Sequence, residues 1–113
     1  MKRRFLAVAA VAACLTGGVA FAEDGSEPVN AAEIVTTVCA MCHGEDGNKM
    51  LTPETPRIGG QPADYLAKSL RDYKSGDRKN PIMAAVAAPL SADAIEALSS
   101  YFSEQDSQLY TPE

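Results

Sequence analysis

Tryptophan is absent from the 113-residue chain, histidine occurs once and cysteine three times. With only three Phe and four Tyr, and Phe5 and Phe21 both near the start, few large apolar side chains remain to build a core. A domain this small is already close to the size at which a core alone is marginal. Basic runs are missing beyond Lys2-Arg3-Arg4, and every one of the 15 Asp and Glu lies after residue 22. Without the first 22 residues the net charge moves from −5 to −8, which argues against nucleic acid as a partner. After residue 22 there is no apolar stretch long enough to span a bilayer. Strand alternation, internal repeats and low-complexity segments are also absent, and the length suits one small domain.

What is present begins with a leader. Lys2-Arg3-Arg4 supplies a positive start, Phe5 to Leu15 an apolar stretch, and Ala20-Phe21-Ala22 a small-x-small cleavage site. Residues 1–22 are therefore expected to be a signal peptide, residues 23–30 a flexible mature N-terminus and residues 31–113 the folded domain. Export to the periplasm follows. A retained anchor would need more apolar length. Cleavage at the looser Val11-Ala12-Ala13-Cys14 box would instead leave a lipid-bearing Cys14, a weaker match than the site downstream.

Removal of Cys14 leaves Cys39 and Cys42, in Cys39-Ala40-Met41-Cys42-His43, which also holds the only histidine. On a helix, residues three and four apart share a face. Two thiols at that spacing can add across the vinyl groups of a porphyrin, with the imidazole beneath the iron, so the string reads as a c-type haem attachment signal. Rival readings fare worse. A thioredoxin-like dithiol needs a βαβ context. Zinc needs a fourth ligand, and no second Cys pair or His closes the set. A structural disulfide across two residues is strained and closes too short a loop to contribute much.

The rest reads as short helices joined by polar loops. Ala31 to Cys42 carries Ile34, Val35, Val38 and Met41 at helical spacing and ends at Gly44. Residues 44–61 hold four Gly and two Pro without periodicity, a loop wrapped on something else. Pro62 starts a second helix with Asp64 in its first turn and Gly76 at its end. Ser91 caps a third, whose buried face is Ala94, Ile95, Leu98, Tyr101 and Phe102. Met83 falls in the loop between the last two helices. A buried porphyrin would supply the apolar bulk that these thin stripes lack.

The chain resembles the class I c-type cytochromes, the small bacterial periplasmic monohaem proteins. The resemblance spans about Ala31 to Phe102. Beyond the Cys39–Gly44 string it rests on Pro56-Arg57-Ile58-Gly59-Gly60-Gln61 leading to Tyr65-Leu66 and the Gly76-Asp77-Arg78 turn. Its third element is Met83-Ala84-Ala85-Val86-Ala87 followed by Leu90-Ser91 and a last helix ending in Tyr101-Phe102. The resemblance implies an all-α cytochrome c fold, three to four short helices and loops around one covalent haem c. It implies thioether bonds from Cys39 and Cys42 and axial ligation by His43 and Met83. By the residues alone Met83 could be a packed gap-filler. Met41, between the cysteines, cannot reach the other haem face, and Met50 follows His43 by only seven residues. The resemblance also implies that the Pro56 carbonyl orients His43. Arg57 would pair with a propionate or remain a solvated loop charge, and Ile58, Tyr65 and Leu66 would line the pocket. Tyr101 or Phe102 should pack against the first helix, where the small residues on offer are Ala31, Ala32 and Thr36.

With both axial positions filled, iron has no open site, so one-electron carriage is expected rather than catalysis. A His/Met pair raises the reduction potential. Expected partners are periplasmic redox proteins with basic docking patches, met by a monomer without stable membrane insertion. Two alternatives stand beside the free shuttle. One is a dedicated haem subunit of a periplasmic oxidoreductase, docking through Ala84 to Pro89; the other is a thiol–disulfide protein using Cys39 and Cys42.

Overall fold

Asn30 opens the first helix: its side-chain oxygen accepts the Glu33 N–H at 3.2 Å, satisfying one of the free donors of the first turn. This helix, α1, runs Ala31–His43 in a computed structural model that describes residues 27–109. The expected leader 1–22, with Cys14 and the cleavage site, lies outside the described residues, as do 23–26 and 110–113. The middle of α1 is not regular. Over Val35–Cys39 it widens to a π-turn, and the Ala40 N–H reaches back five residues to the Val35 carbonyl. The cause is local: Thr36 and Thr37 both turn their hydroxyls onto the Glu33 carbonyl, at 3.0 and 2.7 Å. Those bonds compete with the backbone N–H that would normally occupy it. Ordinary α geometry returns over Ala40–His43.

Helix α2 spans Ala63–Ser75, with Pro62 at the N-cap and Gly76 in left-handed conformation at its end. Its inner side buries Leu66 and Ala67. Helix α3, Pro81–Ala87, occupies the stretch where a loop was expected around Met83. Two features favour helix there. Asn80 accepts the N–H groups of both Ile82 and Met83 at 3.0 Å, and Pro81 begins the helix where a missing donor costs nothing. Alanine-rich sequence then carries it to Ala87. Helix α4, Ala92–Ser103, starts from Ser91, whose hydroxyl accepts the Ala94 N–H at 3.1 Å.

Among the described residues there is no strand, and no single helix is long and apolar enough to cross a membrane. The main packing is α2 against α4, with α3 against α2 and the first turn of α1 against α4. Val35, Leu66, Leu90, Ile95, Leu98 and Phe102 form the buried cluster, together with Ala67 and Ala94. Ala31, Ile34, Ile58 and Tyr101 pack on its edge. The terminal helix thus meets the first turn of α1, while the Tyr101 ring stands edge-on to Phe102, 5.2 Å away. Ala31 and Ala40 are the small residues from α1 packed on this cluster.

Residues 44–61 are pinned at three levels. Lys49 and Leu51 donate backbone N–H groups to the carbonyls of His43 and Cys42, at 2.9 and 3.3 Å. Ile58 and Gly59 both donate to Gly47, and Gly60 donates to Phe102 at 2.8 Å. The Asn48 side chain adds a bond to the Asp106 carbonyl at 2.8 Å. Gly47 is a tight crossing: at φ +75° a Cβ there would lie 2.7 Å from Gly59 N and 2.9 Å from both Ile58 Cγ1 and Phe102 Cδ1. Gly47→Ala combines a left-handed cost of about 1–2 kcal/mol with overpacking of about 1–3 kcal/mol. A loss of about 2–5 kcal/mol in denaturant unfolding of the holoprotein is the expected result. A midpoint unchanged from wild type would show that this loop yields without cost.

Candidate functional site

The end of α1 carries the site. Because α geometry resumes at Ala40, Cys39, Cys42 and His43 fall on adjacent turns of one helix end, which Gly44 closes. Both thiols are free and half-buried. Burial pushes the Cys39 thiol above its ordinary pKa, against a smaller opposing backbone hydrogen bond. A dithiol exchange centre has the opposite tendency, a lowered thiol pKa.

His43 is buried, at 8% exposure. Its Nδ1 lies 2.9 Å from the Pro56 carbonyl oxygen, so Nδ1 carries the proton it donates and Nε2 is the ring atom left with a lone pair. Burial lowers the His43 pKa, and the bond to Pro56 partly offsets this. The imidazole is thus held neutral and aimed, the form in which histidine ligates a metal. Thirteen residues separate the two partners. The loop that Gly47 folds back on itself brings them together.

Arg57 follows directly. Its Nε is buried with no hydrogen-bond partner among the described residues, while Gln61 donates to its backbone carbonyl at 2.6 Å. A buried guanidinium nitrogen without an acceptor fits a carboxylate supplied by a bound group. Ile58 and Leu66 lie together at the core cluster. Tyr65 does not join them: it is 47% exposed on α2, and the Arg78 guanidinium holds its phenol below the usual pKa. Met83 sits half-buried in the first turn of α3, its backbone N–H bonded to Asn80. Met41 and Met50 are exposed, at 68% and 46%.

Sequence reasoning missed two contributors. One is the π-turn ahead of Cys39, signalled by the β-branched run Val35-Thr36-Thr37-Val38. The other is the Asn80 cap that sets the start of α3, signalled by Asn-Pro ahead of an alanine-rich stretch.

An all-helical domain with two thiols and an oriented imidazole on one helix end defines a class, the small haem-holding proteins. The cytochrome c family profile matches residues 28–106, and the chain belongs to the cytochrome c family, with the fold and the covalent haem c that membership implies. The thiosulfate dehydrogenase electron acceptor of Stutzerimonas stutzeri (strain A1501) is 39% identical over 100 residues, 87% of this chain and 46% of that protein. Cytochrome c-554(548) of Halomonas halodenitrificans is 38% identical over 71 residues, 60% of this chain and 84% of that one. Among solved structures, reduced recombinant cytochrome c4 from Pseudomonas stutzeri aligns with a TM-score of 0.57 and 43% identity. That alignment covers 60% of this chain and 38% of the other. The chain spans about half the length or less of several relatives, the thiosulfate dehydrogenase electron acceptor included.

Proposed function

We propose that the protein is a periplasmic one-electron carrier holding a single haem c, with His43 and Met83 as axial ligands. The observation that carries this reading is the His43 Nδ1–Pro56 hydrogen bond, which leaves Nε2 as the ligand atom beside two unbridged thiols. Bound there, haem supplies one-electron exchange between ferric and ferrous iron. The chain's part is to hold and tune it. Cys39 and Cys42 tether the ring, and Pro56 keeps the imidazole from rotating and makes it a better donor. Arg57 offers its buried Nε to a propionate, which neutralises charge that would otherwise be costly to bury. Met83 supplies a soft thioether that favours the ferrous state. Ile58 and Leu66 would line the apolar side.

With His43 and Met83 both held on the iron, no ligand position would be left for a substrate, so the carrier reading is preferred to catalysis at iron. Donors and acceptors are then other redox proteins. A relative named as the electron acceptor of a thiosulfate dehydrogenase favours a dehydrogenase as one donor class. The same relationship supports the second reading, a haem subunit dedicated to one oxidoreductase.

The test is an optical spectrum of protein matured in the periplasm with haem-attachment machinery, taken oxidised and then reduced. Haem that resists acid-acetone extraction and a far-red thioether-to-ferric band are expected. Extractable haem, or none, overturns covalent attachment and returns Cys39 and Cys42 to thiol chemistry.

A further inference from the structure

The first helix changes phase in its middle. Val35 is fully buried, and counted from it an unbroken α-helix advances about 100° per residue. On that count Cys42 would lie about 20° from the Val35 direction and His43 about 80° away, on the flank. The structure shows the reverse order: His43 is buried, Cys42 only half-buried. Val38, which a regular helix would set about 60° from Val35, is 42% exposed. Cys39 and Ala40 pack on the core in its place.

The π-turn over Val35–Cys39 accounts for this. It takes up one residue more than an α-turn, so everything after it is set back by one position, about 100°. His43 then falls where Cys42 would otherwise be, nearly in line with Val35. A straight helix serving the core at Val35 would leave the imidazole turned away from the Pro56 carbonyl. The wide turn is held on its outer side. The Thr36 and Thr37 hydroxyls both donate to the Glu33 carbonyl, at 3.0 and 2.7 Å, and both residues are exposed. Neither side chain therefore serves to fill the core. Single π-turns inside α-helices are frequent at functional sites.

From this phase relation we infer that Thr36 and Thr37 are positioning residues for the iron ligand. By holding the wide turn they rotate the Cys39–His43 end of α1, so that His43 meets Pro56 while Val35 stays in the core. They act through the backbone. The inference rests on the reading of His43 as a haem ligand.

The test uses holoprotein matured in the periplasm. Thr36→Ala/Thr37→Ala removes both hydroxyls but keeps the length, so the helix can close to α geometry at the cost of the His43 direction. Covalent haem per chain is expected to fall about 2- to 10-fold, the weight of one net hydrogen bond in an equilibrium. In the matured fraction the Soret circular-dichroism band and the reduction potential should both depart from wild type, which a loss of stability alone would not cause. Thr36→Ser/Thr37→Ser keeps the hydroxyls and should restore all three properties. Deletion of Thr37 is the sharper case. It removes the extra residue itself and returns His43 to the Val35 direction in a plain α-helix, so near-wild-type haem content, Soret band and potential are expected. A double alanine variant that matches wild type, a serine variant that fails as alanine does, or a deletion variant that holds less haem than the alanine variant overturns the inference. Wild-type protein without covalent haem overturns instead the ligand reading on which it stands.

Discussion

Met83→Ala is expected to keep its covalent haem, lose the far-red band, fall in reduction potential and bind carbon monoxide. In the proposed arrangement Cys39 and Cys42 would make the covalent bonds from α1, so a change in α3 would not touch the attachment. What would be removed is the soft ligand that stabilises ferrous iron. The fall should be on the order of 0.1 V or more, within the roughly 0.8 V that axial ligation spans. Alanine is already abundant around the site, in Ala84, Ala85 and Ala87, so α3 itself should persist. Spectroelectrochemistry and a carbon monoxide difference spectrum read both effects. Met41→Ala and Met50→Ala serve as controls, and with their side chains 68% and 46% exposed neither should alter either property. An unchanged potential with no carbon monoxide binding removes Met83 from the iron.

The parts of the fold visible in the sequence are those written in neighbouring residues. Ser91 and the apolar residues after it specify α4 directly, and the Ala31–Cys42 periodicity gives α1. Cys39, Cys42 and His43 are legible for the same reason, since adjacent turns of one helix end hold all three. By the family resemblance Met83 is expected in a loop after the second helix. In the structure Asn80 is a cap and Pro81 a first helical residue, so Met83 lies in α3. The π-turn went unread because its cause is a side-chain competition for the single Glu33 carbonyl, which no periodicity reveals. Pro56 is a different case. Nothing between residues 44 and 56 announces that its carbonyl will meet His43, and the expectation came from family resemblance alone. The physical basis is the Gly47 crossing, where backbone and Phe102 approach too closely for any side chain. Long-range closure of this kind depends on packing, and packing is not a local property of sequence.

Cys39→Ser/Cys42→Ser carries the other large effect, on folding rather than on potential. The double variant is expected to leave no haem after acid-acetone extraction, and also to lose most of its helical signal and its cooperative thermal transition. The core explains why. Among the described residues its large buried apolar members are Val35, Leu66, Leu90, Ile95, Leu98 and Phe102, a small set on which to hold the four helices described. Two of those helices are weak alone: α3 has seven residues, well short of the length at which an isolated helix persists in water, and α1 is interrupted by its π-turn. Loop 44–61 has a hydrogen-bonded framework but contributes few buried apolar side chains, and the Arg57 Nε has no acceptor of its own. A covalently held porphyrin would add apolar contact for the pocket residues and an acceptor for Arg57. Binding that favours the folded state adds directly to its stability. Far-UV circular dichroism of the colourless double variant against the holoprotein makes the comparison. Near-native helicity with a cooperative melt would show that this small core suffices alone, and that the haem is cargo rather than part of the structure.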